Sequence, residues 1–461
     1  MGEEIQYSRF NQNDYRQFEQ RLADETDLLR QWFEQQAFAR QPLVAGYELE
    51  AWLINAQCQP CPDNDRFLDR ADNALLSAEL ARFNVELNVE PEAINASLLQ
   101  HFEQQLSQLW SHCQQSANAI DCRLLGAGIL PTLKDEDLSL KNISSLQRYK
   151  ALNEQVLRHQ RGATIKLNIN GAEHLQVEHK DVMLEAAATS LQIHLQVPQA
   201  LAVRYYNASI IVSSIMVAVG ANSPFLFNKQ LWEETRIPVF EQSVPTGGLG
   251  GAASGPVHRV SFGSDYARES LFECFLENQQ HFPVLLPVSF DRPLEQLRHL
   301  RLHNGTIWRW NRPLIGFEED GTPHLRIEHR VIASAPSTLD NIANIAFYYG
   351  LVEFYASQQQ PPENLLTFAD AKDNFYRAAQ LGLKHRLRWT DNERHTLQQL
   401  VLDRLLLEAE AGLYKLGIDE SQSKKYLGII EARVKSAQTG SAWQQAFAHK
   451  HRCDMTLLTR T

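Results

Sequence analysis

The sequence predicts an α+β protein with a helical C-terminal region, and three features carry that expectation. Four separated segments alternate polar and apolar residues with the two-residue period of a half-buried strand: Gly46 to Ile54, Phe83 to Glu90, Ser190 to Val197 and Leu325 to Arg330. Long stretches between them carry apolar residues at helical spacing. From Ser337 onward the pattern is almost wholly helical. With 461 residues, 44% of them hydrophobic, the chain can build one large catalytic unit, expected over 1–355, and a smaller helical region over 356–461.

Taken in order, residues 14–39 place Phe18, Leu22, Leu28, Leu29, Trp32 and Phe33 at helical spacing until Gln41-Pro42 breaks the pattern. The first strand follows, and its repeat puts Glu48 and Glu50 on one face. A short helix is expected over 71–82. Next comes a strict alternation with Phe83, Val85, Leu87 and Val89 on one side and Asn84, Glu86, Asn88 and Glu90 on the other. An amphipathic helix over 92–119, a buried strand over 123–130 and a helical stretch over 137–160 lead to a hairpin at 163–180, signalled by Asn170-Gly171. The strand from Ser190 turns Gln192, His194 and Gln196 to its polar side. The apolar run 208–221 is interrupted by serines and shorter than the ~20 residues that span a bilayer, so a buried helix over 199–220, closed by Gly220, is expected. Residues 246–256 form the only glycine-rich segment, a surface loop or a mobile lid. Arg326, Glu328 and Arg330 share a face of the fourth strand, and 340–355 reads as a buried helix.

A single polar strand face is most simply a solvated one. The four faces together are different, because they hold Glu48, Glu50, Glu86, His194 and Glu328, interleaved with Arg326 and Arg330, and contain no lysine. Two carboxylates on one face repel each other, and a divalent cation is the simplest group that justifies them. Carboxylates with one imidazole suit Mg²⁺ or Mn²⁺, which take oxygen ligands and bridge to phosphates. Arginines suit bidentate capture of a carboxylate or phosphate. His258-Arg259, at the end of the glycine-rich segment, could contact a phosphate or form a loop charge pair.

The net charge of −11, with no basic block, argues against nucleic acid as the main partner. Six scattered cysteines read as a reducing compartment. Cys58-Gln-Pro-Cys61 has zinc-like or redox-like spacing, but no second such pair follows, and two loop cysteines is the plainer reading. The acidic N-terminus lacks the basic-then-apolar order of a secretory signal. A cytoplasmic protein without membrane attachment is expected.

The ordered set Gly46-Tyr-Glu-Leu-Glu50, Val85-Glu86, Thr189-Ser-Leu-Gln-Ile-His194, Ala221-Asn-Ser-Pro-Phe225, Glu234-Thr-Arg236 and Arg326-Ile-Glu-His-Arg330, with Thr338 and Asp340 after it, resembles the glutamate-cysteine ligase and carboxylate-amine ligase families. Their catalytic domain is related to glutamine synthetase. The resemblance implies a curved antiparallel sheet with an open concave active-site face for ATP and metal ions, and helices packed on the other side. It implies that ATP phosphorylates the side-chain carboxylate of glutamate and that cysteine or another amine attacks the acyl phosphate. Carried over, Glu48, Glu50, Glu86 and Glu328 would hold Mg²⁺. Arg236, Arg326 and Arg330 would bind the acid or the transferring phosphoryl group, with His194, Gln192 and Arg259 on the nucleotide side. Gln192 and Gln196 stand where related sequences often have a second histidine or a glycine, so the amine is left open. The oligomeric state is open too, a homo-oligomer included. A nucleotide- or metabolite-binding protein on the same sheet, or a phosphotransferase, are the alternatives.

Overall fold

The computed structural model describes residues 4–5, 7–40, 43–160, 162–245 and 258–461. The glycine-rich segment 246–256 therefore lies outside the described residues. Apart from six strands of two or three residues that pair among themselves, the strands are β1 Val44–Ile54, β2 Leu76–Ala78, β3 Asn84–Asn88, β4 Glu92–Ala93, β5 Arg123–Leu125, the hairpin β6 Ile165–Asn170 and β7 His174–His179, then β8 Ser190–Val197, β9 Asn311–Phe317 and β10 Pro323–Ala333. Eight of them form an antiparallel sheet in the order β9-β10-β8-β1-β3-β2, with β4 and β5 pairing the two ends of β1. The sheet curls into a half-barrel.

One face of this sheet is the core. Tyr47, Leu49, Ala51, Val85, Leu87, Leu191, Ile193, Leu195 and Ile327 are all buried, as alternation predicts. The helices Leu98–Asn118, Gln199–Val219 and Thr338–Ala356 cover them. Tyr47 meets Phe102 edge to face. The Tyr349 hydroxyl lies 2.8 Å from the His194 carbonyl and 3.1 Å from the Gly46 carbonyl, so one helix residue pins β1 and β8 where they pair. The helix Gln199–Val219 is long and apolar enough to cross a membrane, but 89% of its apolar window is buried inside the protein. Gly220 does close it, at φ −90°, so left-handed freedom is not what it supplies. A Cβ there would come within 2.8 Å of Ile332, and close packing is the need it meets.

The C-terminal helices pack onto the core helices. Phe368–Leu381 lies on Gln199–Val219, while Leu406–Lys415 and Glu420–Lys435 lie on Thr338–Ala356. At one crossing the backbones nearly touch: a Cβ on Gly412 would sit 1.9 Å from the Gly350 carbonyl oxygen.

Several expected elements differ. The helix expected over 71–82 is Asn64–Ala71, stopped by Asp72 at φ 41°, and residues 76–78 are instead a strand on β3. Pairing with β3 outweighs the helical preference of an Ala- and Leu-rich stretch. The strand expected over 123–130 ends at Leu125, because Gly126 turns against the backbone of Ala335, whose oxygen would be 2.3 Å from a Cβ. The helix over 137–160 begins only at Gln147, after two short 3₁₀ turns, and the helix over 92–119 begins at Leu98. Cys61 is joined to Cys122 in a disulfide, while Cys58 is buried and unpaired, so the two loop cysteines do not act together.

The helix crossing gives a direct test. Gly412→Ala should destabilise the fold by ~1–3 kcal/mol through overpacking, measured as a lower urea midpoint, with Gly428→Ala, where an added Cβ meets no atom within 4 Å, as the comparison that is not destabilised.

Candidate active site

The other face of the sheet carries the polar side chains, and the register decides which of them meet. Across the sheet, Gly46 pairs His194, His194 pairs Glu328, and Glu328 pairs Arg312. One step along, Glu48 lies between Asn88 and Gln192, and Glu50 is opposite Glu86. Gly46 presents no side chain beside His194, which leaves the concave face open there.

Two groups of ligand-capable atoms result, in each of which the atoms lie within 4.8 Å of one another: Glu48, His194 and Glu328, and Glu50, Glu79 and Glu86. Around an octahedral Mg²⁺ with ligands at ~2.1 Å, neighbouring ligands sit ~3 Å apart and opposite ones ~4 Å, so both groups fit after small adjustments. The chemistry of the first group supports the fit. His194 Nε2 is buried without a hydrogen-bond partner, 3.4 Å from Glu48 and 3.7 Å from Glu328, too far for good hydrogen bonds to either.

The charges divide the site in two. Burial alone would raise the Glu48 carboxyl, but His194 beside it holds it down to about 2. Burial acts the same way on Glu328, and Arg312, Arg330 and His194 hold it far below the usual carboxylate range. Arg312 grips both Glu328 oxygens, at 2.8 and 3.0 Å, and Arg330 adds a bond of 3.2 Å. Among the described residues no arginine ion-pairs with the other half, where Arg148 pulls on Glu79 only weakly against burial. Burial, against the pull of Arg330, pushes Glu50 up to about 7, with Glu86 adding to the rise. Burial and then Glu48 raise Glu86, and burial with Glu86 and Glu50 pushes Glu79 well up. Glu185, on the 3₁₀ turn Val182–Ala187, is pushed to about 7 by burial and by Glu50.

The structure brings Glu48, Glu50, Glu86, His194, Glu328, Gln192 and Arg330 together. Gln192 is not free: its amide donates to Glu50 at 2.8 Å and its carbonyl accepts from Arg330, so it links the two halves. Arg330 lies at a break in the β10–β8 register after His329, which aims it across the face. Arg236 is buried under Trp310, its guanidinium donating to the carbonyls of Arg330 and Val331 with Glu234 at 3.4 Å, and it lines a narrow polar cavity with Glu50, Glu185 and Arg330. Arg326 shares the face, and its buried Nε has no partner. Arg259 is not brought into this cluster. Its guanidinium is taken by the carbonyls of Thr306 and Pro283, over Phe282, so its contacts are those of a buried structural arginine.

Sequence reasoning missed Glu79, Glu185 and Arg312. Glu79 follows the unexpected strand β2, and Arg312 sits in an arginine- and aromatic-rich stretch whose facing was unknown. Glu185 had a signal: it is the one charge in Val182–Ala188.

An enzyme that couples ATP to amide formation must hold several anions side by side, and a concave sheet loaded with carboxylates and arginines meets that need. The protein is an ATP-dependent carboxylate–amine ligase. Its sequence places it more narrowly. The chain belongs to glutamate-cysteine ligase family 2, whose sequence profile matches residues 44–453. A glutamate–cysteine ligase from Francisella tularensis, solved in complex with AMP, is similar at a TM-score of 0.53 and 12% identity, over 92% of this chain and 88% of that one. A bifunctional glutathione synthetase from Pasteurella multocida is similar at a TM-score of 0.58 and 9% identity, over 95% of this chain and 53% of that one. The chain thus spans about half the length of the second protein, and at these identities the likeness is one of fold. No curated protein matches the chain in sequence.

The raised carboxyls fix the sign of a pH effect. Glu50 and Glu185 hold protons up to about pH 7 when folded but only to about 4.5 when unfolded, so between those values stability falls as pH rises. Glu48 and Glu328 act oppositely, and their contribution is lost only as pH falls below about 4.5. Without divalent cations Tm should therefore fall from about pH 5 to about pH 7.5, and Mg²⁺ should raise it more at the higher pH, as read by differential scanning fluorimetry.

Proposed function

We propose that the protein joins an acidic amino acid, glutamate or a close analogue, to cysteine or another amine through an acyl phosphate made from ATP. The observation that carries this reading is the pairing of two carboxylate groups with unspent arginine capacity on one concave face. Glu48, His194 and Glu328 would hold one Mg²⁺ or Mn²⁺ and Glu50, Glu79 and Glu86 a second. Bound there, the cations would supply the charge neutralisation that phosphoryl transfer requires. Loading would also let the raised carboxyls ionise.

Arg330 and Arg236 line the same small cavity and would orient the carboxylate of the acid, and Arg326, with its unpartnered Nε, would meet a phosphate or a second carboxylate. An incoming ammonium must lose a proton before its nitrogen can attack. Glu185, with its carboxyl near neutrality and facing Arg330, is placed to accept it. The nitrogen lone pair then forms the amide bond, phosphate leaves with the electrons of the acyl–oxygen bond, and the departing phosphate takes the second proton from the nitrogen. On this reading residues 1–355 carry the chemistry, 356–461 support it from behind, and the need for ATP favours a cytoplasmic setting.

Phosphate release from ATP, screened against pairs of an amino acid and an amine, tests the proposal. Release should require both partners and should yield the amide by mass spectrometry. Release with one partner would indicate a phosphotransferase, and none with any pair a binding protein. In the same assay Glu48→Gln should lower turnover about a hundredfold or more with the fold intact by circular dichroism. Arg330→Lys, which keeps the charge and loses the fork, should chiefly raise KM for the acid.

A further inference from the structure

The cavity assigned to the acid has an aromatic wall, Phe240 and Trp310, beside Arg236 and Arg330. Trp310, the residue before β9, serves both arginines. Its ring lies against the Arg236 guanidinium, 5.5 Å from the ring centre, and its backbone carbonyl accepts from the Arg330 N–H at 2.9 Å, beside the register break. Whatever fixes Trp310 therefore fixes both groups that would grip the substrate.

A carboxylate fixes it. The indole Nε1–H donates to Glu241 at 2.8 Å, and the Tyr376 hydroxyl donates to the same Glu241 oxygen at 2.6 Å. Tyr376 belongs to the helix Phe368–Leu381, beyond residue 355, and its neighbour Phe375 packs on Trp310 with ring centres 5.9 Å apart. A buried indole N–H needs an acceptor, but a neutral one suffices. Trp52, equally buried, uses the Ala127 carbonyl and the Thr189 hydroxyl, and Trp389 uses the Tyr355 hydroxyl. A carboxylate is the costlier choice, since burial pushes Glu241 up to about 7 against the pull of Tyr376 and Trp310. It also does what a neutral acceptor cannot. Hydrogen bonds in series polarise one another, so negative charge on Glu241 enriches the ring against which Arg236 rests.

We infer that Glu241 and Tyr376 are positioning residues for the acid: through Trp310 they hold Arg236 and Arg330 in the cavity and set the affinity for the substrate carboxylate. The C-terminal region thereby takes part in substrate recognition as well as in packing. The inference rests on the assignment of those two arginines to the acid. Among the described residues neither Glu241 nor Tyr376 hydrogen-bonds to a carboxylate assigned to metal, so their effect falls on the acid and spares the nucleotide.

The test is isothermal titration calorimetry of the full chain with L-glutamate and with L-aspartate, in the presence of Mg²⁺ and the ATP analogue AMP-PNP. The wild-type chain should bind at least one of the two acids. Trp310→Phe keeps a ring beside Arg236 but has no N–H to donate, and Glu241→Leu removes the acceptor; each should weaken acid binding about tenfold while AMP-PNP affinity stays within about twofold. Glu241→Gln, which keeps an acceptor oxygen, should bind the acid within about threefold of wild type. Tyr376→Phe, the mildest change, should weaken acid binding about threefold and decides the matter if the larger changes misfold. The double variant Trp310→Phe/Glu241→Leu should lose no more than about tenfold, because both changes break one bond. Unchanged acid affinity in the variants, equal losses for acid and AMP-PNP, a double variant weakened about a hundredfold, or no binding of either acid by the wild type would overturn the inference. Amide formation by the wild type is read separately: acid binding that follows this pattern without amide from any amine would remove the ligase reading and leave the inference standing.

Discussion

Like-charge crowding on the concave face is the constraint on which the rest of the structure depends. Antiparallel register sets Glu50 directly opposite Glu86 and brings Glu48 diagonally to His194, at separations where unscreened carboxylates repel strongly. On one side Arg312 and Arg330 answer the charge of Glu328 with a fork and a third bond. On the other, Glu50, Glu79 and Glu86 have hydrogen-bond donors such as Ser77, Asn88 and the Ser190 amide, and among the described residues no arginine ion-pairs with them: Arg330 and Arg236 draw on Glu50, and Arg148 on Glu79, only at longer range. The protein answers that deficit with protons, and a bound divalent cation would answer it better.

Holding such a surface together requires stability from elsewhere. The opposite face is apolar apart from the hydrogen-bonded pair Asn311 and His329, and three long helices close over it. Tyr349 bonds to the backbone under the site, so the spacing of β1 and β8 is set from behind by a residue with no part in the chemistry. The Gly350–Gly412 crossing lets the C-terminal helices seat tightly on that layer. The region beyond residue 355 is thus packed against the very helices that carry the sheet.

The arginines show how one residue type is divided between structure and chemistry. Arg259 and Arg236 are both deeply buried and bond backbone carbonyls, yet only Arg236 opens onto a cavity with carboxylates. Arg312 is committed to Glu328. Arg330, set at a register break, reaches Glu328 and Gln192 and faces the cavity. Guanidinium geometry allows all of these, so the local backbone decides which are available to a ligand.

Alternation in β1, β3, β8 and β10 was legible in the sequence because the strand period is a local property, and it sufficed to name Glu48, Glu50, Glu86, His194, Glu328, Arg326 and Arg330 as one polar surface. The buried helices and the Asn170-Gly171 hairpin were legible for the same reason. The short strand β2 was not, since three residues carry too little pattern to outweigh their helical composition, and Glu79 went unseen with it. The partners of Arg259, Arg312 and Gln192 were equally hidden. By itself the sequence determined which side chains share a face and that those faces are rich in carboxylate. Only the tertiary structure decided which carboxylates meet an arginine and which meet each other, because cross-strand register and burial arise from contacts between residues far apart in the chain.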